Sequence, residues 1–206
     1  MPLIKRGRDA AAPPQPAPDQ GDPMELLRSP DAAERRRAAR VLASDPEALA
    51  GLSVALASEP EPAVREAIFA ALVSIGGDPA VRALVPVLRS EDAGLRNGAL
   101  EALQDLADAL GPHVPGLLAD ADSDVRILAA ELARRLPPAE ATAALCAMLE
   151  REAHPNACGA ALDVLTEVGT ADALPTLRAV ADRFAADAFI PFAVQVAIAR
   201  IQGTRG

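Results

Sequence analysis

The sequence predicts an all-α protein, a right-handed α-solenoid of about six helical pairs, and three observations predict it. One phrase recurs along the chain: "SEPEPAVREAIFAALVSIG" at 58–76, "SEDAGLRNGALEALQDLA" at 90–107 and "DADSDVRILAAELARRLP" at 120–137. Each copy reads as an acidic turn followed by an apolar residue, usually an Arg, and one apolar helix face. The composition agrees: Ala, Leu and Val carry the hydrophobic half of the chain, with no Trp, no Tyr and four Phe. Ala and Leu favour helix, whereas aromatic and β-branched residues favour strands. Finally, the recurrence is about 30 residues, too short for a helical pair to bury both its apolar stripes without stacking on a neighbour.

Aligned on the first apolar place after each acidic turn, the copies begin at Glu34, Val64, Leu95, Val125, Ala157 and Ile190. Four places later come Ala38, Ile68, Ala99, Ala129, Ala161 and Val194, and eight places later Leu42, Leu72, Leu103, Ala133, Leu165 and Ile198. Eleven places later stand Asp45, Ile75, Leu106, Leu136, Val168 and Ile201. Those offsets lie on one face of a 3.6-residue helix. Only Glu34 and Asp45 break the pattern, both in the first copy. Asp31, Glu61, Asp92, Asp122, His154 and Asp187 precede the anchors by three and are candidate N-caps. Gly76 and Gly169 follow the helices directly, as C′ residues would. Upstream of the turns, "VRALVPVL", "HVPGLLA" and "ATAALCAML" supply a first helix for the third, fourth and fifth pairs. Pro115 and Pro175 suit a first helical turn; Pro86 lies deeper and should kink its helix.

On these residues the chain resembles HEAT-like repeats. "PAVREAIFAALVSIG" and "SDVRILAAELARRL" look most like the short repeat found in phycobilin lyase subunits (the PBS lyase HEAT-like type), and the resemblance spans about 24–202. The fifth and sixth copies depart from it, with Cys158 and Pro191 where Arg is expected. In that family an Asp two residues upstream of the turn acid often pairs with the Arg in a ladder between units. Here only Asp120 and the substitutes Glu59 and Glu152 could serve, whereas Ser29, Ser90 and Ala185 cannot, so the resemblance implies an incomplete ladder. It also implies, as an alternative function, a subunit of a heteromeric chromophore (bilin) lyase. HEAT-like hydroxylases hold iron through His-Glu dipeptides, and this chain has none.

Residues 1–23 are rich in Pro, Ala, Gln and Asp and are expected to form a flexible tail, with one continuous repeat domain over 24–206. The tail carries a basic "IKRGR" cluster. Its three basic and three acidic side chains balance, as do the five of each in 24–58, so the whole net charge of −9 arises in 59–206. An acidic body without aromatic stacking platforms argues against nucleic acid as partner. No apolar run approaches the roughly 20 residues of a membrane helix, the start is not a secretory signal, and two cysteines suit a reducing compartment. A cytoplasmic protein with no membrane partner is expected.

The expected function is that of a non-catalytic adaptor or assembly factor, holding another protein on the surface lined by the second helices. Arg35, Arg65, Arg96 and Arg126 share one place and form a ridge: either donors for an acidic partner or pairing groups between layers. Phe69 and Leu100, five past the anchor, are either core or groove wall. Glu101, Glu131 and Asp163, six past the anchor, form an acidic row. The candidate binding residues are therefore Arg65, Arg96, Arg126, Phe69, Leu100, Glu101 and Glu131. Cys146, Glu150, His154 and Cys158 recur every four residues and suggest zinc or a metal/redox accessory role. Pro155 disfavours the unbroken helix such a site needs. No phosphate loop or nucleophilic triad is evident and no cofactor is expected.

Overall fold

The computed structural model describes residues 21–203, and every regular element in that span is helical. The expected tail lies, through residue 20, outside the described residues. The first pair joins α1 (Pro23–Leu26) to α2 (Ala32–Leu42), the second α3 (Leu49–Ser58) to α4 (Pro62–Ile75), and the third α5 (Gly77–Leu84) to α6 (Ala93–Asp105). In the fourth pair the first helix is split into α7 (Ala107–Leu110) and α8 (Val114–Leu117), followed by α9 (Ser123–Ala133). The last two pairs are α10 (Pro138–Leu149) with α11 (Pro155–Val168), and α12 (Leu174–Arg183) with α13 (Ile190–Gly203). The second helices α2, α4, α6, α9, α11 and α13 pack one against the next in chain order, and first helices form a second row behind them. This is an all-α solenoid.

The core follows the repeat register. All six residues four past the anchor are buried, as are five of the six at offset eight. Many are Ala: Ala99, Ala129 and Ala161 are fully enclosed, so neighbouring second helices can approach closely. The two exceptions in the first copy have polar duties. Glu34 accepts a hydrogen bond from the Ser29 hydroxyl at 2.6 Å, and Asp45 accepts from the Glu47 N–H at the start of a 3₁₀ turn.

Local chemistry sets the ends. Asp31, Asp92, Asp122 and Asp187 each accept hydrogen bonds from backbone N–H groups two or three residues on. Glu61 and His154 occupy the same place without a side-chain cap. Pro86 ends α5 as a regular helix: the chain continues as a 3₁₀ segment over Val85–Arg89, since Pro removes a donor and its ring crowds the preceding turn. Gly76 has φ +72°, a positive value that suits glycine at a helix end. Gly169 differs from that expectation, with φ −64° and ψ 141°. Its requirement is space, because a Cβ there would lie 2.3 Å from the Leu165 carbonyl oxygen. Among the described residues no helix is long and apolar enough to cross a membrane.

Candidate protein-binding groove

The Arg ridge is used within the fold. Arg35 clasps both carboxylate oxygens of Glu59 at 2.8 Å and donates to the Ser29 and Pro30 carbonyls. Arg126 repeats the arrangement three layers later, donating to both oxygens of Glu152 at 2.6 and 3.0 Å and to the Asp120 and Ala121 carbonyls. Glu59 and Glu152 are buried, and their remaining acceptor capacity meets the backbone N–H groups of Glu61, Ala153 and His154. The Arg35 guanidinium holds the Glu59 carboxyl below the usual range. At Glu152 burial pushes upward, but Arg126 and the backbone N–H groups prevail and the carboxyl is lowered.

The other rungs are improvised. Ser90 stands where Arg65 would need an acid, so Arg65 reaches Asp92 at 2.8 Å and lowers its pKa, while its Nε donates to the Glu59 carbonyl. Arg96 donates to the Ser90 carbonyl at 2.6 Å, and Asp120 is bonded by Arg89. Cys158 replaces the fifth-layer Arg, and its Sγ lies 3.8 Å from the Glu152 carbonyl oxygen. The donors missing there come from Arg183, which bonds the carbonyls of Leu149, Glu150 and Glu152.

Between α4 and α6 the second-helix surface opens into a groove of about 640 Å³. Its floor depends on one pair. Phe69 on α4 lies over Gly98 on α6, where a Cβ would meet the ring at 2.3 Å. Glycine therefore admits the ring between the helices, leaving Phe69 only 8 % exposed. Ala70, Val73, Gly94 and Ala102 continue the lining with small or aliphatic groups, so the cleft stays hollow. Glu66, Glu101 and Asp105 stand exposed on its walls. None of the three has an ion-pair partner among the described residues, and the groove's cation, Arg65, is committed to Asp92.

Of the candidates named from sequence, Arg65, Phe69 and Glu101 meet in this groove, whereas Arg96, Leu100, Arg126 and Glu131 lie outside its lining. Leu100 is half-buried against the core. Glu131 pairs with Arg134, which also holds Asp163 and Glu167, so one guanidinium is shared among three carboxylates and the acidic row is partly compensated at that end. Glu66, Asn97, Gly98 and Asp105 escaped sequence reasoning. The available signal was Gly98 itself, a glycine inside a helical pattern, which often marks close packing.

The Cys/His spacing is not gathered into a site. Cys146 sits half-buried on α10, Cys158 is buried on α11, and Glu150 and His154 are exposed at the turn between them. Burial pushes both thiols up, away from the reactive thiolate. Among the described residues no group of three or more His, Cys, Asp or Glu is arranged to hold a metal.

Compared with known families, residues 23–104, which span the first three pairs, match HEAT repeats. No curated protein matches the chain. Among solved structures, a designed armadillo repeat protein in complex with the peptide (KR)4 is 19% identical, with 89% of this chain and 99% of that one covered and a TM-score of 0.46. Kap121p bound to Pho4p is 18% identical, covering 89% of this chain and 23% of that one at a TM-score of 0.44. The S. pombe condensin Cnd3–Cnd2 subcomplex is 16% identical, covering 90% of this chain and 27% of that one at 0.43. In its first three pairs the chain is HEAT-like, and α7 to α13 continue the paired-helix stack.

Proposed function

We propose that this chain is a non-catalytic adaptor or assembly factor that holds another protein on the surface lined by its second helices, with the α4–α6 groove as the centre of contact. The observation that carries this reading is the groove: an apolar floor at Phe69 and Val73 beneath exposed, unpaired carboxylates. Its volume lies in the range of binding clefts, and it combines an apolar lining with a few polar groups. The buried ladder carboxylates Glu59 and Glu152 stabilise the stack, whereas Glu66, Glu101 and Asp105 make no such contribution and are available to a ligand. Extended repeat surfaces suit binding by area and shape.

The test is site-specific photo-crosslinking in the native cell extract. A crosslinking side chain at Ala70, on the groove, should give one discrete adduct with another protein. The same group at Arg82, exposed on the first helix α5, should give none of that mass. Adducts of equal yield at the two positions would place binding elsewhere or show it to be unspecific.

A further inference from the structure

We infer that the α4–α6 groove receives an extended segment of a partner protein in which aliphatic residues alternate with Lys or Arg. This assignment rests on the groove being the contact site and adds the chemistry of what enters it. Charge supplies the first argument. Glu66, Glu101 and Asp105 line the groove with no ion-pair partner among the described residues, and its lining cation, Arg65, is locked to Asp92 and to the Glu59 carbonyl. The lining thus presents uncompensated negative charge, in a body that holds the whole net −9 beyond residue 58. Such a field draws a basic segment and repels an acidic one.

Spacing supplies the second. In the repeat register Glu66 on α4 and Glu101 and Asp105 on α6 stand two, six and ten places past their anchors, so their places rise along the two helices by about 6 Å each, Glu66 on one wall and the other two on the facing wall. An extended chain returns a side chain to the same side every ~6.7 Å. One basic residue in two therefore keeps pace with the three carboxylates. The intervening aliphatic side chains reach the hollow over Phe69 and Val73, and the long Lys or Arg stems fold back to the rim. Small residues at Gly94, Gly98, Ala70 and Ala102 leave the depth that those aliphatic groups need.

The full chain should be applied to an array of extended hexapeptides varied in charge and apolar content. Peptides alternating Lys or Arg with Leu, Ile or Val should be selected, with binding that falls at least about tenfold as screening shortens the Debye length from ~10 to ~3 Å. The triple variant Glu66→Lys, Glu101→Lys, Asp105→Lys changes exposed side chains only and should reverse the preference toward acidic peptides. Ala70→Tyr, which fills the cleft, should abolish selection, and its melting temperature reports whether the fold survives. Selection of neutral or acidic peptides by the unaltered chain, equal selection of basic peptides by the triple variant, or no selection at all would overturn the inference. The chain's own PLIKRGR segment belongs in the array: if it outbinds every other peptide, the occupant is the chain itself and the assignment to a partner fails. A discrete adduct at Ala70 alongside a failed array would refute the basic segment and leave the groove standing as a contact site.

Discussion

Arg35 and Arg96 hold one place in the repeat and differ entirely in what they bind. Arg35 meets a buried carboxylate through two parallel hydrogen bonds, a geometry suited to the guanidinium fork. Arg96 meets a single carbonyl. The Arg35–Glu59 pair makes stability depend on pH. The folded-state pKa of Glu59 is lowered, so its contribution is complete above the unfolded value of about 4.3 and is lost as pH falls through the folded value. Glu59→Gln removes the charge and should lower the melting temperature at pH 7 by roughly 4–8 °C, as expected for loss of a charged hydrogen bond in a chain of this size. The gap between the unaltered chain and the variant should then narrow steadily below about pH 4.3. Thermal melts across pH 3–7 measure it; a gap independent of pH would show that the pair adds no linked stability.

At the scale of elements, close approach of α4 and α6 is bought with glycine, since Gly98 costs helix propensity and returns room for Phe69. Gly98→Ala should gain about 1 kcal/mol in propensity and lose roughly 1–3 kcal/mol from the displaced ring. The net effect runs from neutral to a destabilisation of about 2 kcal/mol. Adding Phe69→Leu, a smaller side chain, should recover part of the loss, giving a coupling of at least ~0.5 kcal/mol in a double-mutant cycle by urea denaturation. Strict additivity would mean that the ring does not need the glycine.

Across the whole molecule the layers are not equally joined. The α6–α9 contact is the thinnest among the second-helix interfaces, and at this same junction Arg96 has no carboxylate partner among the described residues. Behind it, the first helix of the fourth pair is broken into α7 and α8 by a 3₁₀ turn at Gly111–His113. In a linear stack stability is a sum of layers and their interfaces, so the weakest junction opens first. Native-state hydrogen exchange should show amides of α7 and α8 exchanging through a smaller opening than those of α4 and α11. Uniform protection from α4 to α11 would show that the stack unfolds as one unit.

The helices, their pairing and most of the buried face were legible in the chain because they are local: offsets of four and eight residues follow from the helix period alone, and Asp caps act within three residues. Pro86 was legible as an interruption for the same reason. Partner choice in the ladder was not, because it depends on which donor arrives first in space. Asp120 lies with Arg89, Arg65 finds Asp92, and Arg183 from another helix fills the place vacated at Cys158. Nor could periodicity separate the steric need of Gly169 from the conformational need of Gly76, since the crowding atoms include Ile201 from the next layer. The groove belongs to the same class. Phe69 and Gly98 are legible along the chain only as a core-or-wall residue and a glycine within a helix, Glu66 and Asp105 are unremarkable, and the four become a site only when two layers meet in one register. Repeat sequence determines each layer through short-range hydrophobic spacing; the surface between layers is decided by contacts some thirty residues apart.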